Sequence, residues 1–229
     1  MEQLPLYISI VFAMATLACV AFFYKASNCS TPTLLLLLIW IVVQAMISST
    51  GFYTITDTFP PRFLLLVLPP LLVVTGLFVT PNGRRYLDNL DVKTLTLLHT
   101  VRIAVEIVLY WLFLHHAVPQ LMTFEGRNVD ILAGITAPII YYFAFVRQQF
   151  VKQLLLWWNI ACIGALLNIV VNAVLSAPFS FQQFAFDQPN IAILYFPFSS
   201  LPSCVVPLVL LSHLATIRQL LLSKNAPSK

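Results

Sequence analysis

His99, Arg102, Glu106 and Tyr110 follow one another at intervals of three, four and four residues inside a long apolar stretch. At about 100° of helix per residue they share one face with Phe113. Counted from Lys93 at ~1.5 Å per residue, Glu106 lies about 20 Å along the helix, near or just past the middle of a bilayer. A charge at that depth costs about 2.5–3.5 kcal/mol on insertion scales, so the stripe must face a bundle interior or a wet cavity. The residue types suit two chemistries. Glu106 can exchange a proton or hold a cation, and Arg102 can hold an anion. His99 and Glu106 could instead do general acid–base work. A plainer outcome is that Arg102 and Glu106, four residues apart, neutralise each other and fasten their helix to its neighbours.

Other polar groups could complete such a pathway. Asn168 and Asn172 stand four apart on a later apolar stretch, where amides commonly hydrogen-bond across helices. His213 lies near the inner end of the last one. A second cluster, His115, His116, Glu125, Arg127, Asn128 and Asp130, follows the first stripe. It reads as an outer vestibule in which Glu125 and Arg127 form a charge latch, or as a loop whose Asn128 or Asp130 caps the next helix. No metal site is expected here. Adjacent histidines point about 100° apart on a helix, whereas paired ligands usually stand three or four residues apart.

The elements that position these groups follow from composition. Of 229 residues, 60% are hydrophobic and 9% charged, against about 25% charged in a soluble domain. Mean hydropathy is +0.91. A water-soluble globule, a disordered chain and a disulfide scaffold are all excluded. The four cysteines contain no Cys-x-x-Cys and read as apolar filler. An all-α membrane protein remains. Seven segments are long and apolar enough to span: 4–24, 32–50, 61–80, 93–118, 129–146, 154–176 and 191–222. Together they form one transmembrane domain. The first lacks the basic n-region of a signal peptide. Trp157 and Trp158 fall near the inner interface, where indoles anchor.

With the N-terminus outside and the C-terminus inside, nine of the twelve basic residues lie in inner segments. Arg62 and Arg127 are outside and Arg102 is within a span. That asymmetry is the positive-inside pattern. The net charge of +4 therefore reflects insertion, and no basic patch exceeds two adjacent residues, so no nucleic-acid partner is expected. Prolines interrupt three segments: Pro69-Pro70, Pro138, and Pro197, Pro202 and Pro207. Each removes a helix donor and frees a carbonyl. In transporters, broken helices of this kind form binding sites.

In helix count and orientation the chain resembles microbial rhodopsins, which hold retinal on a lysine within the last helix. Lys224, past the predicted end of the seventh segment, is the only lysine there, so a retinal Schiff base is disfavoured and no cofactor is expected. In length and topology it resembles seven-helix sugar transporters, although 1–81 and 129–222 show no internal similarity. It lacks the His-x-x-x-His pair of seven-helix zinc hydrolases. The leading expectation is a membrane protein that binds or transports a small molecule or ion at the polar stripe. An intramembrane enzyme on a lipid or isoprenoid, and a sensor or assembly subunit without chemistry, are the alternatives. An enzyme is the less favoured, because no paired-Asp, metal triad or nucleophile–base motif is visible. Short loops suggest a prokaryotic inner membrane. An oligomer or a separate protein partner stays open.

Overall fold

The computed structural model describes residues 4–148 and 152–224. Glu2 and Lys229, both used in the charge count, lie outside the described residues. Nine α-helices run in chain order through the described residues: α1 (Leu6–Ala26), α2 (Thr31–Ser49), α3 (Leu64–Val79), α4 (Pro81–Asp88), α5 (Val92–Leu98), α6 (Val101–Leu114), α7 (Ile131–Tyr141), α8 (Lys152–Leu175) and α9 (Val206–Lys224). Wider π-type turns extend α7 through Tyr142–Val146 and precede α9 at Leu201–Val205. No strand occurs among the described residues.

Five helical segments are long and apolar enough to cross a membrane, with α5–α6 and the turn before α9 counted into continuous spans. There are six if α3 and α4, which meet at 91°, are taken together. The segment Ile131–Val146 is apolar but shorter. Leu17, Leu36, Ile39, Met46, Leu72 and Val171 point outward, while His99, Arg102, Glu106, Asn159 and His213 are buried. Apolar outside and polar inside is the arrangement that lipid imposes. The chain is a helical membrane protein.

Sequence chemistry explains where helices start and turn. Ser30 accepts from the Thr33 N–H ahead of Pro32 at the start of α2. Asp91 accepts from the N–H groups of Lys93 and Thr94 to open α5. Thr80 closes α3 and accepts from the Gly83 N–H to open α4. A Cβ on Gly83 would stand 2.5 Å from the Leu77 backbone, so the right-angle fold-back needs glycine there. Pro207 has no N–H for the carbonyl of Ser203, four residues back. The Trp40 indole donates to that carbonyl at 2.9 Å and ties α2 to the break before α9.

Two predicted segments are less regular than a plain span. Segment 93–118 tightens at His99-Thr100, where N–H groups reach three residues back instead of four, and its helix ends at Leu114. In segment 191–222, residues 191–199 are not α-helical. The N–H groups of Ile191 and Ala192 bond the Ala117 carbonyl instead, and continuous helical winding starts at Ser200. The main core lies between α1, α5–α6 and α9, with Phe12 and Phe198 in ring contact at 5.3 Å. A second core at the far end joins Tyr53, Phe63, Phe179 and Leu194, and Tyr53 donates to Gln44 at 2.5 Å.

Candidate functional site

The residues 115–130 decide the geometry of the buried polar groups. The sequence reads 119–128 as an outer loop between two spans, with His115 and His116 at the outer end of the first. In the fold, Val118, Met122, Thr123, Asn128 and Asp130 are buried while 124–127 are exposed, so the connection turns into the bundle on either side of an exposed tip. Its tight path depends on Gly126, where a Cβ would stand 2.2 Å from the carbonyl of Gln120. The loop thereby delivers Asn128 and Asp130 to the depth of Arg102 and Glu106.

Arg102 and Glu106 share a helix face as predicted, but they do not pair with each other. Arg102 makes a two-pronged ion pair with Asp130, with Nε to Oδ2 at 2.6 Å and Nη2 to Oδ1. The fork geometry of guanidinium and carboxylate explains this choice. The third guanidinium nitrogen, Nη1, donates to His213 Nε2 at 3.1 Å. Because Nη1 can only donate, His213 carries its proton on Nδ1, which donates to Asn159 Oδ1 at 2.8 Å. Asn159 in turn donates to the Leu155 carbonyl at 2.8 Å. All three guanidinium nitrogens of Arg102 thus already have a protein partner, with one N–H of Nη1 and one of Nη2 beyond these bonds.

Glu106 has a different partner. Both its carboxylate oxygens accept from Asn128 Nδ2, at 2.6 and 2.7 Å, and the same amide nitrogen reaches the Met122 carbonyl at 3.0 Å. Asn128 Oδ1 accepts from the Asp130 N–H at 2.9 Å. Of the two predicted caps it is thus Asn128 that takes a backbone N–H at the start of α7, while the Asp130 side chain is committed to Arg102. Glu106 and Asp130 also line a cavity of about 100 Å³, whose other walls are apolar, among them Val67, Leu109, Leu166 and Pro202.

His99 is fully buried. Its ring stacks on His213 at 3.7 Å and meets the edge of Trp158 at 5.6 Å, and neither ring nitrogen has a hydrogen-bond partner. Trp158 donates to the Thr136 hydroxyl at 3.0 Å. It belongs to the histidine stack rather than to an interfacial belt, whereas its neighbour Trp157 is exposed.

Several predicted residues lie away from this group. Tyr110 is half-buried against Phe124 and Phe113. Asn168 is exposed and donates to the Arg127 carbonyl at 2.8 Å. Asn172 is buried but bonds back to Asn168, at 2.9 and 3.2 Å. His115, Glu125 and Arg127 are exposed, and Arg127 lies over the Phe184 ring at 5.3 Å. Among the described residues Glu125 and Arg127 form no ion pair, so the charge latch is absent. Asp130, predicted in the same vestibule, is instead part of the buried group. Asn128, expected only in the loop cluster as a cap, and Asn159 and Trp158 are not placed with the stripe by their spacing.

A family model described as a domain of unknown function (DUF8737) matches residues 60–221. That is more than half of the chain, and the chain belongs to this family. The buried polar residues around Arg102 and Glu106 all fall inside the matched region, and α1 and α2 precede it. No curated protein and no solved structure matches the chain.

Proposed function

We propose that this DUF8737 member crosses a membrane seven times, N-terminus outside and C-terminus inside, and binds or transports a small cation, or a small molecule coupled to a proton, at Glu106. The observation that carries this reading is the state of Glu106. It is a carboxylate at membrane depth, on a cavity wall, with an amide as partner and, among the described residues, no ion pair. Arg102 balances Asp130 alone. The remaining negative charge is balanced either by a proton on Glu106 or by a cation beside it, and exchange between the two is the elementary step of a coupled carrier. The cavity of about 100 Å³ suits a small ion or a molecule of few atoms.

Seven spans are supported by a helix within each of the seven apolar segments, although α3 and Ile131–Val146 are short. The orientation rests on the basic residues, and short loops favour a prokaryotic inner membrane. The enzyme alternative draws less support: His99 is sealed by Trp158 and His213 and does not line the cavity beside Glu106.

The test is a thermal-shift screen of the detergent-purified protein against alkali cations, small ammonium ions and a pH series, run beside Glu106→Gln. A cation- or pH-dependent shift in wild type that is absent from the folded variant is the expected result. The same shift in both would refute a role for Glu106 in binding.

A further inference from the structure

A groove of about 350 Å³ runs between α2, α3 and α9, apart from the polar site. Its lining is almost wholly apolar and carries no charged side chain. At one end stand Pro32, Thr33, Leu77 and Tyr86, and at the other Trp40 and Ser203. Three separate helical paths measure it. Pro32 to Trp40, Pro69 to Leu77 and Ser203 to Leu211 are each eight residues, or about 12 Å at 1.5 Å per residue. Half of a hydrocarbon core is about 15 Å. The groove thus has the depth of one leaflet. Its deep end, away from the Thr33 and Tyr86 mouth, is bounded where the Trp40 indole bonds the Ser203 carbonyl. Leu36 and Val73, both more than half exposed, form lips toward the lipid.

The open end is polar, and the helix that contributes Tyr86 to it carries two arginines. The Thr33 hydroxyl and the Tyr86 phenol are 3.1 Å apart at the mouth. Tyr86 belongs to α4, which turns 91° from α3, buries Gly83 and Leu87 and exposes Arg84 and Arg85. A short helix with a buried apolar face and exposed arginines is built to lie in a membrane interface. Asp88 would be the natural partner of Arg84 four residues before it. It is taken instead by Arg218, with bonds of 2.7 and 2.9 Å. Among the described residues Arg84 and Arg85 have no acidic partner.

From this juxtaposition we infer that the groove is a binding site for one anionic phospholipid, with an acyl chain between α2 and α3 and the headgroup phosphate on Arg84 and Arg85. Charge complementarity selects the headgroup, and the groove depth selects a chain entering from the same leaflet. The inference does not depend on the function proposed for Glu106.

Native mass spectrometry of the whole protein, titrated with phosphatidylglycerol or phosphatidylcholine, tests it. One phosphatidylglycerol per chain is expected, with phosphatidylcholine much weaker. Each basic residue near an anionic headgroup contributes about a fivefold factor, so Arg84→Gln/Arg85→Gln should weaken binding about thirtyfold. Val73→Trp, which fills the groove from its lip, should displace the lipid while leaving both arginines in place. Glycerol 3-phosphate, which has no chain, should not compete. Equal binding of the two lipids, unchanged affinity in the double arginine variant, or full competition by glycerol 3-phosphate would each overturn the proposal. The arginines are exposed, so their variant remains informative if Val73→Trp does not fold.

Discussion

The ion pair between Arg102 and Asp130 should be the most strongly coupled pair of side chains in the bundle. Asp130→Leu leaves the guanidinium buried with only His213 as partner. Two charge-assisted hydrogen bonds, each worth about 1.5–3 kcal/mol, are lost at once. The sum, about 3–6 kcal/mol, agrees with the roughly 3–5 kcal/mol expected when a buried pair loses one member. Arg102→Leu should cost a similar amount. The double variant removes both charges and should recover most of the loss, giving a coupling energy above about 2 kcal/mol. Reversible unfolding in mixed micelles, titrated with dodecyl sulfate, measures all four corners of the cycle. A second cycle between Arg102 and Glu106 is the control, since those two share a helix face without bonding. Additivity within about 0.5 kcal/mol for Arg102 and Asp130, or a larger coupling in the control, would show that the pairing described above is wrong.

Two further outcomes follow from the same geometry. His99→Phe removes ring nitrogens that bond nothing and keeps a flat ring against His213, so it should be neutral or stabilising. His213→Phe breaks links to both Arg102 and Asn159 and should cost about 2–3 kcal/mol in the same unfolding assay; a reversed ranking would contradict the network. Gly126→Ala forces a methyl against the Gln120 carbonyl and should displace the loop that carries Asn128. It should cost about 1–3 kcal/mol, and loss of the Asn128 contact should appear as a changed carboxylate stretch of Glu106 in infrared difference spectra against Glu106→Gln.

The helical, membrane-embedded character of the chain was legible because apolar length and scarcity of charge constrain it directly. Burial of His99, Arg102 and Glu106 was legible for the same reason: a polar side chain in a span has to turn inward. Their partners were not legible. Helical periodicity relates residues three and four apart, while Arg102 meets Asp130 and His213 at separations of 28 and 111 residues. Asp130 stands in a stretch whose Glu125, Gly126 and Arg127 read as solvent loop, and the neighbouring Val118, Leu121 and Met122 were the overlooked sign that part of it is buried. On α8 the pair Asn168 and Asn172 drew attention by its spacing. Asn159 and Asn168 are nine residues apart, about 180° around the helix. One must therefore face the core when the other faces out, and it is Asn159 that faces His213.

The separation between Arg102 and Asp130 also has a meaning in time. A ribosome adds about 5–20 residues per second, so Arg102 precedes its partner by roughly 1–6 s. Throughout that interval the nearest carboxylate is Glu106, synthesised four residues later and one helical turn away. Absent from the finished bundle, that contact is the one available to the nascent fourth segment while it leaves the translocon. Glu106 is therefore the counter-ion expected for Arg102 during insertion, before Asp130 is available. A force profile of the stalled nascent chain should record weaker insertion of this segment in Glu106→Gln, and an unchanged profile would remove that role.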